Sequence, residues 1–450
     1  MGTLAVDKLL RTSTGASEFT LPATDGTVGQ VMQTDGAGQL SVGAYTIPAD
    51  AVGSSQIATD AVTATEIAAG AVGTSEIAAL AVTASEIAAT TITPAQMADS
   101  AYLANRNMVI NGAMQVAQRE TSVAGISGAT AGYHTVDRWY NTKTNCGTWT
   151  QTQDNNAVST AGFGYSLKMD CTTALASLAA SDRLMMSYRL EGLNCQNLKK
   201  GTASAESVTI SFWVNATKTG TYVLELWDHS NSRHIASLYT VSVTNTWEKK
   251  TITFAGDTTG ALNNTNAKTL ELHWYLAAGS NNQSGTLATS WAATSNGNRA
   301  VGQVNAADST SNNFSLAGVQ MEIGSTATPY EHKNYEQELA ACQRYYQKTY
   351  NQGIYPGANS SPGACTAVAV YSSGSQGLGS RYFTVMRTTP GITLYSPGGT
   401  SGGVSLTSDG SHVAATAGDI GDSGFQYVTG SLPSTNANGY RYHWTAEADM

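Results

Sequence analysis

From residue 51 to residue 100 the apolar positions keep a strict ten-residue phase, as AVGSSQIATD, AVTATEIAAG, AVGTSEIAAL, AVTASEIAAT and TITPAQMADS follow one another without a slip. Each block places an apolar β-branched residue second (Val52, Val62, Val72, Val82, Ile92) and an apolar residue five positions later (Ile57, Ile67, Ile77, Ile87, Met97). In the second block Thr63 can cap a helix, Glu66 can reach back to its N–H and Val62 can touch Ile67, the pattern of a capping box with a hydrophobic staple. The last block repeats the signal with Thr93, Pro94 at the first helical position and Gln96. The first and third have the weaker caps Gly53 and Gly73. Each decamer therefore predicts a short extended piece followed by about one helical turn. Isolated helices below roughly 12–15 residues are marginal in water, so the Val/Ile stripe must be buried elsewhere. Association of identical chains in a closed ring buries it, which makes these ten residues the expected core of a homotrimeric stalk. A flexible Ala/Thr/Ser linker and a monomeric solenoid are the alternatives.

Before the repeats, Asp25-Gly26 and Asp35-Gly36 lie between apolar positions Leu21, Val28, Val31, Met32, Leu40 and Val42, and predict a small β-meander with tight turns. After them the period changes to two. SVTISFWVNA, TYVLELWDHS, IASLYTVSV, TWEKKTITFA and TLELHWYLAA read as strands separated by Gly, Asn, Asp and Thr, and so many strands at short spacing predict an antiparallel sandwich or jelly roll. Asn334 followed by Gln337 predicts one capped helix with Leu339, Cys342 and Tyr346 on a common face. From Asn351 onward the chain again reads as strands, with a Gly/Ser/Thr/Asp-rich stretch between Ser396 and Asn438. The expected fold is thus mainly β. Its parts are a β-cap over 1–50, a decapeptide stalk over 51–104, a jelly-roll-like sandwich over 105–333, and a linking helix with a β tip over 334–450.

Composition narrows the functions open to such a chain. Only 12% of its 450 residues are charged and 32 acidic groups outnumber 23 basic ones, which argues against a nucleic-acid surface. The five cysteines (Cys146, Cys171, Cys195, Cys342, Cys365) show no zinc spacing and suit buried free thiols made in a reducing cytoplasm. MGTLAVDKLLRTSTG lacks the apolar core of a signal peptide and misses the myristoylation pattern. No run is apolar enough over 18 residues to predict a membrane span, so exit from a cell would be by particle assembly or lysis.

Several segments carry a resemblance. Asn107 to Val116 (NMVINGAMQV), Asp137 to Trp139 (DRW), Val319 to Glu331 (VQMEIGSTATPYE) and Glu338 to Tyr346 (ELAACQRYY) resemble motifs that open and close a domain in bacteriophage tail fibres. LPATDGTVGQVMQTDGAGQLSVG resembles a segment near the start of such proteins, although a plain N-terminal cap on the stalk fits it equally. Phe383 to Pro390 and Tyr440 to Met450 resemble fibre tips. The resemblance implies a virion tail appendage made in the host cytoplasm. Residues 1–50 would join tail or adaptor proteins, and the tip would bind a host surface glycan or protein. A head or collar fibre without a receptor role, and a glycan depolymerase, are the competing readings.

No catalytic motif is present: there is no G-x-S-x-G, H-E-x-x-H or phosphate loop, and His134 near Asp137 or His229 beside Asp228 reads as chance proximity. Neither a metal nor a cofactor is expected. Sugar recognition needs only an aromatic face and neighbouring polar groups. Trp213, Trp227, Trp247 and Trp274 lie in strand-like runs and read as core. Tyr382, Tyr395, Tyr427, Tyr440, Tyr442 and Trp444, in the turn-rich tip, are the better candidates. There, in or beside loops 396–410 and 419–439, Tyr395, Tyr427 and Tyr440 are the chief expected stacking residues, with Asp409, Asp422 and Asn436 as hydroxyl partners.

Overall fold

The alternating runs fold as antiparallel strands that end within a few residues of the expected limits. A computed structural model describes residues 8–10, 18–23, 27–28, 30–34, 39–44, 57, 105–129, 131–368, 376–430 and 439–450, which fall in two compact units, Met1–Thr91 and Ile92–Met450. In the first, strand Lys8–Leu10 pairs with Glu18–Thr20 and Gln30–Thr34 pairs with Leu40–Ala44. Both expected turns, Asp25-Gly26 and Asp35-Gly36, lie outside the described residues. So do all the expected stalk-core positions except Ile57, which is 44% exposed in the single chain.

The second unit contains two β bodies. The larger is a sandwich. One sheet has seven strands, in the order Ala292–Ala293, Arg233–Val241, Gly220–Asp228, Lys268–Ala278, Arg183–Glu191, Trp139–Thr144 and Ala131–Tyr133. The other has six, in the order Glu248–Phe254, Val208–Ala216, Asn313–Ile323, Ser166–Thr173, Thr148–Asp154 and Ser122–Ile126. Period-two alternation sends Trp139, Tyr188, Leu224, Leu272 and Trp274 from the first sheet, and Ile210, Phe212, Leu167, Met169 and Phe314 from the second, into one core. Phe212 meets Trp274 edge-on across the layer, with centroids 5.7 Å apart. Each such side chain contributes on the order of 1.5–3 kcal/mol by leaving water.

The segment 279–304 folds across part of the outer face of the seven-stranded sheet and buries it, leaving Leu238 and Thr240 exposed beyond its edge. Ala236 N–H donates to Ala288 O (2.7 Å) and Val223 N–H to the Gln303 side chain (2.8 Å). Met185, Val223, Ala236, Tyr275 and Ala300 form a second small core there.

The smaller body is built around strand Gly439–Glu447, which pairs with Tyr346–Lys348, Cys365–Val368, Gly391–Tyr395 and Gly403–Leu406. His412–Ile420, Gly424–Gly430 and Gln376–Arg381 extend the same sheet. Tyr440, Tyr442 and Trp444 form one face of the central strand and bury themselves with Met386, Leu394, Val404, Phe425 and Val428.

The linking helix runs Tyr335–Gln343. Its start follows the expected cap, with Asn334 N–H donating to the Gln337 side chain at 3.2 Å. Its end does not follow the expected face. The chain leaves the helix after Gln343, and Tyr346 enters a strand opposite Glu447, so Glu338 and Cys342 are the helix residues that become buried. All five cysteines are unpaired, four of them buried, and burial pushes the Cys146 and Cys195 thiols up to about 12, which leaves them unreactive.

Candidate functional site

The segments singled out by their motifs meet in space and wire the two β bodies together. Asn111 is the hub. Its N–H donates to Glu338 Oε2 (2.6 Å), its side-chain amide donates to Val116 O (2.8 Å) and Asp137 O (3.0 Å), and its carbonyl accepts the Trp139 indole N–H (3.2 Å). Asn107 holds the last sandwich strand through Val319 O (3.1 Å) and Met321 N–H (3.1 Å), and the Glu331 carboxylate accepts its N–H (2.7 Å). Gly112 has to be glycine because a Cβ there would sit 2.1 Å from Val319 O. Gln118 binds both Asp137 oxygens and also donates to Tyr346 O.

Arginines complete this seam. Arg138, 1% exposed, pairs with Asp449 (3.2 Å), donates to Arg189 O (2.7 Å) and lies over the Tyr345 ring at 3.4 Å. Arg119 also pairs with Asp449 and lies over Tyr346 at 3.8 Å. These residue types serve assembly, since a buried guanidinium is tolerated only where carboxylate, carbonyl and ring partners surround it.

Burial pushes the Asp137 carboxyl from its ordinary 3.8 up to about 6, against Arg119 and Gln118. The folded state therefore holds this proton more tightly than the unfolded chain. Its contribution to stability is fully present below about pH 4 and is lost as pH rises through about 6. Asp137→Asn should flatten the stability profile across that window, as read from urea midpoints at pH 4, 5 and 6.

A second polar cluster lies beneath the covering segment. Glu225, fully buried, accepts Arg299 Nε (2.9 Å) and Nη2 (2.8 Å) and the Tyr275 hydroxyl (3.1 Å), and lies 2.8 Å from ring nitrogens of His234 and His273. Burial alone would raise this carboxyl, but the Arg299 charge and the histidine hydrogen bonds hold it well below the usual range. Glu271, 3.4 Å from the other nitrogen of His273, is depressed in the same way against its burial. A glycosidase acid needs a carboxyl raised toward neutrality, and this pair is held ionised. The sequence-adjacent pairs do not form: the Asp137 carboxylate is taken by Gln118 and Arg119, and that of Asp228 by Lys200 and Asn231.

An open cleft of about 760 Å³ lies at the sandwich edge, between strands Arg233–Val241 and Glu248–Phe254 and the 287–291 segment. Trp291 walls it, with its N–H donating to Ala255 O (2.7 Å) and the Lys200 ammonium 4.9 Å from its ring centroid. Arg233 and Asp257 close one end with a two-point ion pair (2.7 and 3.0 Å). Hydroxyls of Ser237, Thr253, Thr258, Thr259, Thr289 and Ser290 rim it. The volume suits a ligand, since binding pockets run about 300–1,000 Å³ with a few placed polar groups.

The expected tip residues scatter. Tyr440 is 1% exposed, stacks on Tyr442 at 5.8 Å and donates to Leu378 O (3.1 Å), so it is a core side chain with no ring face for a sugar. Tyr395 is half-buried and meets Tyr350 edge-on at 6.0 Å. Tyr427 is half-buried and lies over Gly418, where a Cβ would be 2.2 Å from the ring. Asp409 is exposed and accepts Ser411 N–H at 2.9 Å; Asp422 is exposed; Asn436 lies outside the described residues. Neither expected loop is wholly loop. Gly403–Leu406 and Gly424–Gly430 are strands within them, because Val404, Phe425 and Val428 are buried.

No known protein-family profile and no curated protein matches this chain. Among solved structures, it is similar to the enzymatically active domain of bacteriophage CBA120 tailspike protein 4, at 12% identity over 48% of this chain and 21% of that one, with a TM-score of 0.25. It spans about a fifth of that domain's length. It is similar to a putative sugar binding protein from Bacteroides thetaiotaomicron, at 10% identity over 48% of this chain and all of that one, with a TM-score of 0.28. It is also similar to the family 11 carbohydrate-binding module of a Clostridium thermocellum cellulosomal cellulase, at 11% identity over 45% of this chain and 95% of that one, with a TM-score of 0.23. Scores this low transfer neither a fold family nor a ligand.

Proposed function

We propose that this chain is a bacteriophage tail fibre: a homotrimer, joined to the virion through residues 1–50, that attaches to the host by binding a surface glycan without cleaving it. The observation that carries the glycan reading is the sandwich-edge cleft, where one part-exposed tryptophan, a fixed Arg233–Asp257 pair and a rim of hydroxyls converge. An indole offers a flat apolar face to a pyranose ring, and the part-exposed Arg233 guanidinium, held in place by the buried Asp257, offers donors to its hydroxyls. The fibre reading is supported by the four motif segments, and the half-buried Tyr395 and Tyr427 with the exposed Asp409 and Asp422 remain a second candidate receptor surface. Three copies on one stalk would raise weak single-site binding by avidity.

Trp291→Ala should weaken adsorption of soluble full-length protein to host cells by roughly 2 kcal/mol per site, about thirtyfold in Kd, with the protein still folded at the assay temperature by thermal melting, although its midpoint falls because the indole also packs against the core. Undiminished adsorption by this variant, together with its loss when 396–410 is replaced by Gly/Ser, would move the receptor site to the tip. Release of new reducing ends from host polysaccharide would make the protein a depolymerase instead.

The stalk has its own test. Replacing Val62, Ile67, Val72 and Ile77 with Ser should shift the mass seen by light scattering from trimer toward monomer, while Ser75→Ala and Thr65→Ala leave it unchanged. A wild-type monomer at micromolar concentration contradicts the fibre reading.

A further inference from the structure

We propose that a second pocket, at the joint between the sandwich and the segment that follows the linking helix, binds an uncharged sugar ring. Gln115, Gln153 and Tyr165 come from the sandwich side, Tyr335 is the first residue of the helix, and Gln352 and Tyr355 follow the strand Tyr346–Lys348. Together they enclose about 340 Å³, the small end of the usual range for ligand sites, which suits a chain end better than a long polymer run. Three phenols and three carboxamides thus converge on one space.

The chemistry of the lining selects the ligand. No residue lining the pocket carries a charge at neutral pH. Lys348, whose ammonium lies 4.9 Å from the Tyr355 centroid, is already engaged by Ile354 O at 2.6 Å. An anionic sugar would therefore leave water without a partner, which is costly. The rings are accessible: Tyr165 is 41% and Tyr335 is 44% exposed.

Hydrogen-bonding capacity is left over as well. Gln153 uses its amide N–H on Met114 O (2.6 Å), which leaves its side-chain oxygen as an acceptor. The Tyr335 hydroxyl donates to Gln352 Oε1 (3.3 Å), which leaves the Gln352 NH₂ as a donor. Gln115, Tyr165 and Tyr355 have no side-chain hydrogen bond among the described residues. Burial, then the negative charge of Asp137, pushes the Tyr335 phenol above its ordinary value, so it stays a neutral donor. Paired donors and acceptors beside flat rings match the alternating hydroxyls and C–H faces of a neutral hexose, and a ligand seated there touches both β bodies at once.

This proposal rests on the glycan reading only for the ligand being presented to the protein. The experiment uses the full-length chain on an array of neutral and of sialylated or sulfated oligosaccharides, with hits remeasured by titration calorimetry. Wild type should bind neutral oligosaccharides. Tyr165→Ala and Gln115→Ala, both remote from the core and checked by thermal melting, should each weaken that binding at least fivefold, and Trp291→Ala should not abolish it. If neutral glycans bind and only Trp291→Ala affects them, the edge cleft stands and this pocket is refuted. Binding confined to anionic glycans also refutes it. Absence of binding to any glycan overturns this proposal and the glycan reading together.

Discussion

Arg138→Ala should cost about 3–5 kcal/mol of stability, the usual loss when one member of a buried ion pair is removed. The guanidinium pairs with Asp449, donates to a sandwich carbonyl and covers the Tyr345 ring, so its loss leaves Asp449, 4% exposed, dependent on Arg119 alone. The damage should be directional. Because Arg138 belongs to the sandwich, while Tyr345 follows the helix and Asp449 follows the last strand, the variant should melt in two steps where wild type melts in one. Arg138→Lys should recover only part of the loss, since an ammonium cannot reproduce a planar fork stacked on a ring. A single transition at the wild-type midpoint would show that the seam contributes nothing.

Glu225→Gln should be comparably damaging at pH 7, about 3–5 kcal/mol, because it leaves Arg299 buried without its counter-charge. Here the pH dependence distinguishes charge from packing. The folded carboxyl sits well below its ordinary 4.5, so wild-type stability from this group is present above that value and is lost as pH falls toward the folded pKa. Each pH unit below about 4.5 should remove about 1.4 kcal/mol of the wild-type advantage. Urea melts at pH 7 and pH 3.5 measure this. An equal deficit at both values would mean that shape, and not charge, is what Glu225 supplies.

The strands were legible because alternation is local: Val208–Ala216, Gly220–Asp228 and Lys268–Ala278 follow directly from residue order. The same period was available at Tyr440, Tyr442 and Trp444, which stand two apart as the buried face of one strand; their Gly- and Asn-rich surroundings suggested loops instead. The helix start was legible from Asn334 and Gln337. Its end was not, since Tyr346 answers to Glu447, a hundred residues away in sequence. The motif residues were visible as a group, but their seam role depends on partners distant in the chain. Trp291 lies in a Ser/Thr/Ala stretch without period, and only a lone indole in such a setting could have flagged the cleft. Glu225 and His273 fall at the alternate positions of their strands, opposite the sandwich core, and only the covering segment 279–304 makes that face a buried one.

The distance between seam partners along the chain imposes an order on synthesis. Arg138 precedes Asp449 by 311 residues, and at about 5–20 residues per second its counter-ion is made roughly fifteen seconds to one minute later. During that interval a nascent sandwich holds Arg138 without its carboxylate partner, while Arg119 and Arg189, which also find oxygens on residues 449 and 450, already have Asp137 and Glu271. A ribosome that stops anywhere short of them releases a chain whose seam cannot close. Residues 449 and 450 thus fix when the seam can close, after every strand of both β bodies has been made.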